Sequence, residues 1–246
     1  MIGDISFGPV WDQRGLLLGG IWLMLRVAVA SMVIAVAGGL LLASLRLSRL
    51  RWVRMSAFVL IQVLRGVALY VLVLWLFNGL AVATGITLSA VQTGVIALSL
   101  LNSAYLAEVF RAGFEAIPAG QGEAAQAIGL SDGQAARFIL VPQMVRITFP
   151  SMGNVFVDIV KDTAILSVIG VSELMRETQR WAQFYFRSFE FYTAAGLIYL
   201  AIVLVVSAAW RAVERRLRVH LDVDAIDRRR RWRSLMPIAT RSEAPA

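Results

Sequence analysis

The hydrophobic residues of this chain fall into long blocks, which short clusters of charged residues separate. No charged residue lies between Arg26 and Arg46, and the apolar pattern extends back to Leu16. Because a helix rises about 1.5 Å per residue, roughly 20 apolar residues cross the hydrocarbon core of a bilayer. The pattern therefore predicts a first membrane-spanning helix from Leu16 to Leu45.

The next charge-free block, between Arg65 and Glu108, is too long for a single crossing. Asn78-Gly79 and Thr84-Gly85 are typical turn signals that divide the block. It therefore predicts two helices, at 56–77 and 88–115.

Two further blocks complete the predicted bundle. The stretch from Ile147 to Val171 is apolar at both ends but carries Asp158, Lys161 and Asp162 in its middle, which predicts a polar fourth span. The stretch from Phe191 to Trp210 is uncharged and predicts a fifth span. Together the blocks predict an all-α integral membrane protein with five transmembrane helices.

Composition agrees with a membrane protein. Of the 246 residues, 59% are hydrophobic and 16% are charged, whereas soluble domains carry about 25% charged residues. The chain has no cysteine, which excludes disulfides and thiolate metal sites. Several tryptophans lie near predicted span ends, as interface anchors do. They include Trp11, Trp52, Trp181 and Trp210.

The positions of the basic residues predict the orientation. Lys and Arg accumulate in cytoplasmic loops, and most arginines here follow the first span, follow the third span or lie in the tail. The N-terminus is therefore predicted outside and the C-terminus in the cytoplasm. This asymmetry and attraction of the tail to anionic membrane lipid account for the net charge of +8, so no nucleic acid partner is expected. Around a transmembrane domain at 16–218, we expect an exposed arm at 1–15 and a disordered basic tail at 219–246.

The segment at 116–142, between the third and fourth spans, is too long to be a simple connection. Pro118 breaks the chain after the third span, and 121–128 predicts a short helix that Gly129 stops. Its alanines leave a thin helix surface, which a cleft of a partner can accept closely. We call 116–142 the coupling segment.

A second short helix is predicted within the coupling segment. Ser131 and Gln134 match a capping box that opens this helix, and it is expected to end before Pro142. The two short helices would lie in the cytoplasm, across the bundle.

These residues resemble the cytoplasmic signature of permease subunits of ATP-binding-cassette (ABC) importers: Glu-Ala-Ala, three residues, Gly, nine residues, Ile, one residue, Leu-Pro. The matching positions are Glu123, Ala124, Ala125, Gly129, Ile139 and Pro142. Val141 stands where leucine is usual. The resemblance implies that these positions dock into the ATPase subunit and transmit its closure to the spans.

Other segments are similar to those of the polar amino acid permease subfamily. They are Arg65-Gly66, Ala104–Glu108, Arg111–Gly113, Ile117-Pro118, Lys161–Thr163 and Ser167–Val171. After Arg65-Gly66 the subfamily usually has Thr-Pro, whereas this chain has Val67-Ala68. The loss of a helix-breaking proline predicts a straighter second span.

Five ionisable residues lie at or near membrane depth, where charges are costly and often functional. They are Arg65, Glu108, Asp158, Lys161 and Asp162. Spacings of three and four residues place the last three on one helical face, which fits both a self-paired cluster and the lining of a substrate path. For Glu108, a structural pair with Arg111 is the favoured interpretation.

The resemblance implies a permease subunit of an importer for a polar amino acid or a related small zwitterion, in the bacterial inner membrane. Its expected partners are an ATP-binding subunit, a second permease copy or a paralogue, and a periplasmic or extracellular solute-binding protein. No catalytic residue, metal site or cofactor is expected in this chain. The only lysine, Lys161, follows Val160, so there is no Gly-Lys-Ser/Thr phosphate loop, and ATP with Mg would bind the partner.

Two other classes fit less well. A secondary transporter could use Asp158, Lys161 and Asp162 as a proton or ion relay, and it would work without an ATPase. An intramembrane enzyme is disfavoured, because the predicted spans hold no histidine or metal-ligand constellation.

Overall fold

The computed structural model describes residues 5–235, and the side chains of residues 5–216. The first half comprises α1 (Gly8–Asp12), α2 (Arg14–Arg46), α3 (Arg51–Gly66), α4 (Leu69–Leu74), a π-helical turn (Trp75–Gly79), α5 (Leu80–Thr84) and α6 (Ala90–Glu115). The second half comprises α7 (Gly120–Ala127), α8 (Asp132–Ala135), a π-helical turn (Ala136–Leu140), α9 (Val141–Asp162), a 3₁₀ helix (Thr163–Ile169), α10 (Leu174–Tyr185) and α11 (Ser188–Leu235). No β-strand occurs among the described residues.

Helices α2 and α6 form the centre of the bundle, and small residues let them approach closely. A Cβ atom added at Gly39 of α2 would lie 2.7 Å from Cβ of Leu106 on α6. Around this contact the buried core includes Met24, Leu98 and Phe110. Helices α3, α4, α9 and α10 pack against this pair, and α11 packs mainly against α9 and α10.

Three helices among the described residues are long and apolar enough to cross a membrane, at Arg14–Arg46, Ala90–Glu115 and Ser188–Arg216. They correspond to the first, third and fifth predicted spans. Helix α9 is not among them, because its polar side chains lower its hydropathy. The structure carries no membrane, so the count of five spans and their orientation stay predictions.

The prediction of a straight second span is wrong. Helices α3 and α4 meet at a bend of 96°, and Val67 and Ala68 have extended backbones with ψ near 131° and 130°. No proline is needed, because Gly66 and the β-branched Val67 are weak helix formers and packing decides between conformations. Beyond the bend, Leu69 and Val73 of α4 are buried in the core.

The expected turn at Asn78-Gly79 is also wrong. The chain passes this point in the π-helical turn and continues as α5 to Thr84. Gly85, with φ of +74°, ends the helix. Of the two turn signals, only the one that requires a left-handed residue breaks the helix.

Most described residues of the arm are exposed, but two of its residues contact the bundle. In the arm, Ser6 and Gln13 contact the start of α11 and the end of α10, where the Gln13 amide donates to the hydroxyl of Tyr185 at 3.1 Å. The backbone of α11 stays helical to Leu235, through part of the tail predicted to be disordered. The sequence has neither glycine nor proline from 197 to 236, and extension of a formed helix is favourable. Residues 236–246 lie outside the described part.

Candidate functional site

The first helix of the coupling segment, α7, ends as the sequence predicts. Gly129 has φ of +85°, a left-handed conformation that glycine adopts without a Cβ penalty. The N–H of Leu130 donates to the carbonyl of Ala125 at 3.1 Å, and the N–H of Gly129 donates to the carbonyl of Gln126 at 2.9 Å. These two bonds are the Schellman pattern, which satisfies carbonyls at a helix end.

The predicted capping box is also present. The Ser131 hydroxyl accepts from the N–H of Gln134 at 3.4 Å, and the Gln134 side chain accepts from the N–H of Ser131 at 2.9 Å. Beside this box, the Asp132 carboxylate accepts from the Gln126 amide at 2.9 Å and from the Arg49 guanidinium at 3.1 Å. Asp132 therefore joins both short helices to the loop that follows α2.

The residues of the signature divide between an outer and an inner face of α7. Glu123 and Ala124 are exposed, whereas Ala125 is buried against the following turn. Two bulky apolar side chains nearby face outwards, with Ile128 74% exposed and Phe138 63% exposed. An acidic side chain beside exposed apolar ones is a surface suited to a protein partner.

The second short helix, α8, ends at Ala135, before Pro142 as predicted, but the backbone stays helical beyond its end. Helix α8 passes through the π-helical turn into α9, and the backbone of Ala136, Leu140 and Val141 is helical throughout. A wider π turn accommodates the missing N–H and the ring of Pro142, because it changes the hydrogen-bond register just before the proline. Ile139 lies half-buried in this turn. Helix α8, the π-helical turn and α9 therefore form one continuous helical rod, from which Gly129 and Leu130 separate α7.

A row of exposed polar residues runs along α9. Ser151, Asn154, Asp158 and Lys161 recur at alternating intervals of three and four residues, and all four are exposed. We call them the polar stripe. The Lys161 ammonium lies 2.7 Å from the Asp158 carboxylate, whereas Asp162 is half-buried beside the stripe. The structure thus joins two of the three residues that the sequence places on one face.

The other two candidate path residues, Arg65 and Glu108, line a separate open cavity of about 550 Å³. The Arg65 guanidinium lies 5.2 Å from the centre of the Tyr105 ring. Glu108 pairs with Arg111 at 2.8 Å, which agrees with the favoured interpretation of a structural pair. Ser151 also borders this cavity, so the cavity opens onto the lower end of the polar stripe.

The remaining lining residues of this cavity come mainly from α6 and α9. They are Tyr105, Val109, Arg111, Ala112, Gly113, Ile147, Thr148 and Val155. Within the described part of the chain, no group of three or more His, Cys, Asp or Glu residues could hold a metal ion.

Sequence reasoning missed a buried acidic pair at the start of α10. Glu173 caps this helix, where it accepts from the N–H groups of Met175 and Arg176, both at 2.8 Å, and from the hydroxyl of Tyr199 at 2.9 Å. Burial raises the pKa of Glu173, and these hydrogen bonds oppose the shift. Glu177 is buried one turn later. The available signal was an acidic N-cap before an amphipathic stretch.

Comparisons with known proteins agree on one family. The family described as binding-protein-dependent transport system inner membrane component matches residues 35–219. The arginine transport system permease protein ArtQ of Bacillus subtilis (strain 168) is 31% identical over 215 residues, which cover 87% of this chain and 98% of the relative.

The histidine/lysine/arginine/ornithine transport system permease protein HisQ of Salmonella typhimurium is 34% identical over 220 residues, which cover 85% of this chain and 96% of the relative. Among solved structures, an amino acid ABC transporter crystallised with histidines superposes with a TM-score of 0.80 at 33% identity, and the match covers 87% of this chain and 99% of that one.

Proposed function

We propose a mechanism from the premise that this chain belongs to the family of binding-protein-dependent transport system inner membrane components. It is a permease subunit of an amino acid importer of the ABC class. As a pore subunit it is not itself an enzyme. The observation that carries the mechanism is the unbroken helical rod from α8, within the coupling segment, to the polar stripe.

The substrate that we propose is a polar amino acid or a related small zwitterion. The polar stripe carries one carboxylate and one ammonium group, on Asp158 and Lys161, which can complement the ammonium and carboxylate groups of a zwitterion. The names of the relatives support this class, since they transport arginine, or histidine, lysine, arginine and ornithine.

The polar stripe needs a polar neighbour. Charged side chains exposed to hydrocarbon are costly, so Asp158 and Lys161 must face water or another protein chain if α9 spans the bilayer as the fourth of five helices. We propose that a second permease copy or a paralogue lies opposite the stripe. The path between the two would lead to the cavity beside Arg65 and Glu108.

Energy would come from a separate ATP-binding subunit, which binds ATP and Mg. This subunit would dock on the exposed face of Glu123, Ala124, Ile128 and Phe138. Because Gln126 of α7 is hydrogen-bonded to Asp132 of α8 and α8 is continuous with α9, a displacement of the docking surface would shift α9 and alternately open the path to either side. The chain would lie in the bacterial inner membrane with its N-terminus outside. A solute-binding protein would deliver the substrate to the outer side of the complex.

The test uses liposomes that contain this chain with its ATP-binding subunit. The solute-binding protein and a labelled amino acid are added, and uptake of the label is measured. We expect uptake that requires ATP and that vanadate inhibits. Uptake by this chain alone, driven by a proton gradient and insensitive to vanadate, would instead establish the secondary transporter.

The coupling surface is tested by charge reversal at Glu123. Glu123→Lys should abolish ATP-dependent transport, because it places a cation at the docking surface. The variant protein should still insert normally. Gly129→Asp should act in the same direction through the end of α7. Asp12→Lys, an equal reversal on α1, is the control and should transport like the native chain. Native transport by both coupling variants would refute the docking surface.

A further inference from the structure

The middle of α9 is weaker than the rest of the helix. Pro150 has no N–H, so the carbonyl of Arg146 lacks its usual donor, and Gly153 is a poor helix former three residues later. Just before them, the Thr148 hydroxyl donates back to the carbonyl of Met144 at 2.9 Å, a contact that bends helices. The rod from the coupling segment to the polar stripe thus has one compliant stretch, at 148–153.

Trp210 of α11 lies across this compliant stretch. Its indole N–H donates to the backbone carbonyl of Phe149 at 2.8 Å. Its ring stacks on Phe149 at a centroid distance of 4.7 Å and lies 6.0 Å from the ring of Phe156. The side chain was expected to anchor the membrane interface, but it is half-buried against α9 and contacts residues on both sides of Pro150 and Gly153.

The fit between the two helices depends on Gly153. A Cβ atom at this position would lie 2.6 Å from Nε1 of Trp210, closer than atoms can approach. A cavity of about 240 Å³ borders the contact and is lined in part by Pro150, Gly153 and Trp210. The indole therefore packs closely against Gly153, and the cavity beside it leaves space into which the ring can shift.

The two halves of α9 are held by different neighbours. On the N-terminal side of Pro150, Met144 and Thr148 pack against Gly113 of α6, where a Cβ atom would lie 3.3 Å from Cγ of Met144. At the stretch itself, Trp210 joins α9 to α11. A displacement from the coupling segment must therefore pass the compliant stretch before it reaches the polar stripe.

We propose that Trp210 is a positioning residue that splints the Pro150–Gly153 stretch of α9, so that movement of the coupling segment reaches the polar stripe and carries α11 with it. Without this contact, the residues of α9 before the compliant stretch would move, and the residues after it would not follow. This role rests on the proposed function, since it requires an ATP-binding subunit at the coupling segment.

The experiment measures amino acid transported per ATP hydrolysed by the reconstituted complex. For Trp210→Ala we expect this ratio to fall about 5-fold or more, the usual lower range of coupling between sites, while ATP hydrolysis continues. Trp210→Phe keeps the stacking and loses the N–H donor, so its ratio should be intermediate. Trp22→Ala, which removes a 64% exposed tryptophan of α2, should leave the ratio at the native value.

Two further measurements separate a splint from a general packing role. Gly153→Ala should lower the ratio because it displaces the indole, and its combination with Trp210→Ala should cost no more than the worse single variant, since both act through one contact. Backbone hydrogen exchange should rise at 148–156 in Trp210→Ala and stay native in α6.

The outcomes distinguish the two proposals. If the native complex takes up amino acid only with ATP, an unchanged ratio in Trp210→Phe and Gly153→Ala overturns the splint, even where Trp210→Ala fails to insert. An equal loss of transport and hydrolysis also overturns it and assigns Trp210 to packing. If the native complex shows no ATP-dependent uptake, the proposed function itself fails.

Discussion

At the scale of single residues, Gly129 and Gly122 of the coupling segment differ in whether the backbone conformation requires glycine. Neither position has an atom within 4 Å of an added Cβ, but only Gly129 has a positive φ. A substitution at Gly129 is therefore strained by the backbone alone, whereas Gly122 lies inside α7 with a helical backbone.

This contrast gives a matched pair of variants. Gly129→Ala should destabilise the end of α7 by about 1 kcal/mol, because a Cβ disfavours the left-handed region. Gly122→Ala should stabilise α7 by about 0.5–1 kcal/mol, because alanine loses less backbone freedom. Hydrogen exchange of the amides at 120–128 measures both, and faster exchange in Gly122→Ala than in Gly129→Ala would contradict the assignment.

The buried acids at the start of α10 give a second prediction at this scale. Burial raises the pKa of Glu173, and the negative charge of Glu177 adds to that rise. A carboxyl whose pKa is higher in the folded than in the unfolded state stabilises the fold below the unfolded pKa, and this contribution is lost as pH rises through the folded pKa. The full chain should therefore be more stable near pH 5 than near pH 7.5.

The two acids respond oppositely to amide substitution. Glu177→Gln should raise the melting temperature at pH 7.5 by about 2–4 °C, the equivalent of about 1 kcal/mol, and reduce its dependence on pH, because it removes a charge beside Glu173. Glu173→Gln should lower the melting temperature, because its amide would face a backbone N–H. A melting temperature of Glu177→Gln that is lower than the native value at pH 7.5 would contradict this account.

At the scale of elements, the break between α3 and α4 shows what the sequence predicts poorly. Val67-Ala68 contains no obligatory helix breaker, and the bend arises from the burial of Leu69 and Val73, which depends on the rest of the bundle. By contrast, the end of α7 and the start of α8 were predicted well, because Gly129 and the Ser131–Gln134 box act through their own backbone. Local signals specified local geometry, whereas long-range packing overrode helix propensity.

The bend predicts that proline is acceptable at its second residue. Ala68 is exposed, with φ of −68°, and Val67 before it has the extended backbone that precedes proline. Ala68→Pro should stabilise the fold by about 0.4–1 kcal/mol, because it restricts the unfolded chain. Ala81→Pro, inside α5, should cost about 3 kcal/mol. Thermal unfolding of the purified chain compares them, and an equal loss in both would contradict the extended conformation.

The candidate site was predicted unevenly for a related reason. The signature lies in one contiguous segment, so its spacing could be recognised before the structure. The spacing also placed Asp158 and Lys161 on one face of a single helix, but the cavity beside Arg65 combines α3, α6 and α9, and neighbours from different helices cannot be paired from one sequence. The contact of Trp210 with Gly153 joins positions 57 residues apart, and neither residue carries a chemical signal of it.

At the scale of the whole molecule, two kinds of surface remain uncovered in the single chain. Helix α11 exposes apolar side chains such as Leu197, which is 61% exposed, and lipid can cover these. The polar stripe on α9 exposes Asn154 and Asp158, and Asn154 lines a cavity with Ser207 and Trp210 of α11. Lipid could neither solvate the Asp158–Lys161 pair nor hydrogen-bond to the Asn154 amide, so the two faces must have different surroundings in the membrane.

Cysteine labelling measures that difference directly, because the native chain has no cysteine. A single cysteine reacts with a charged, membrane-impermeant thiol reagent only as the thiolate in contact with water. Asn154→Cys should therefore react when the reagent has access to both sides of the membrane, and a bound amino acid should slow the reaction. Val205→Cys, on α11 closer to the level of Asn154 and 68% exposed in the single chain, should stay unlabelled because hydrocarbon surrounds it. An Asn154→Cys that stays as unlabelled as the control would place the stripe outside the path, and α9 would then cover a lipid face in spite of its charges.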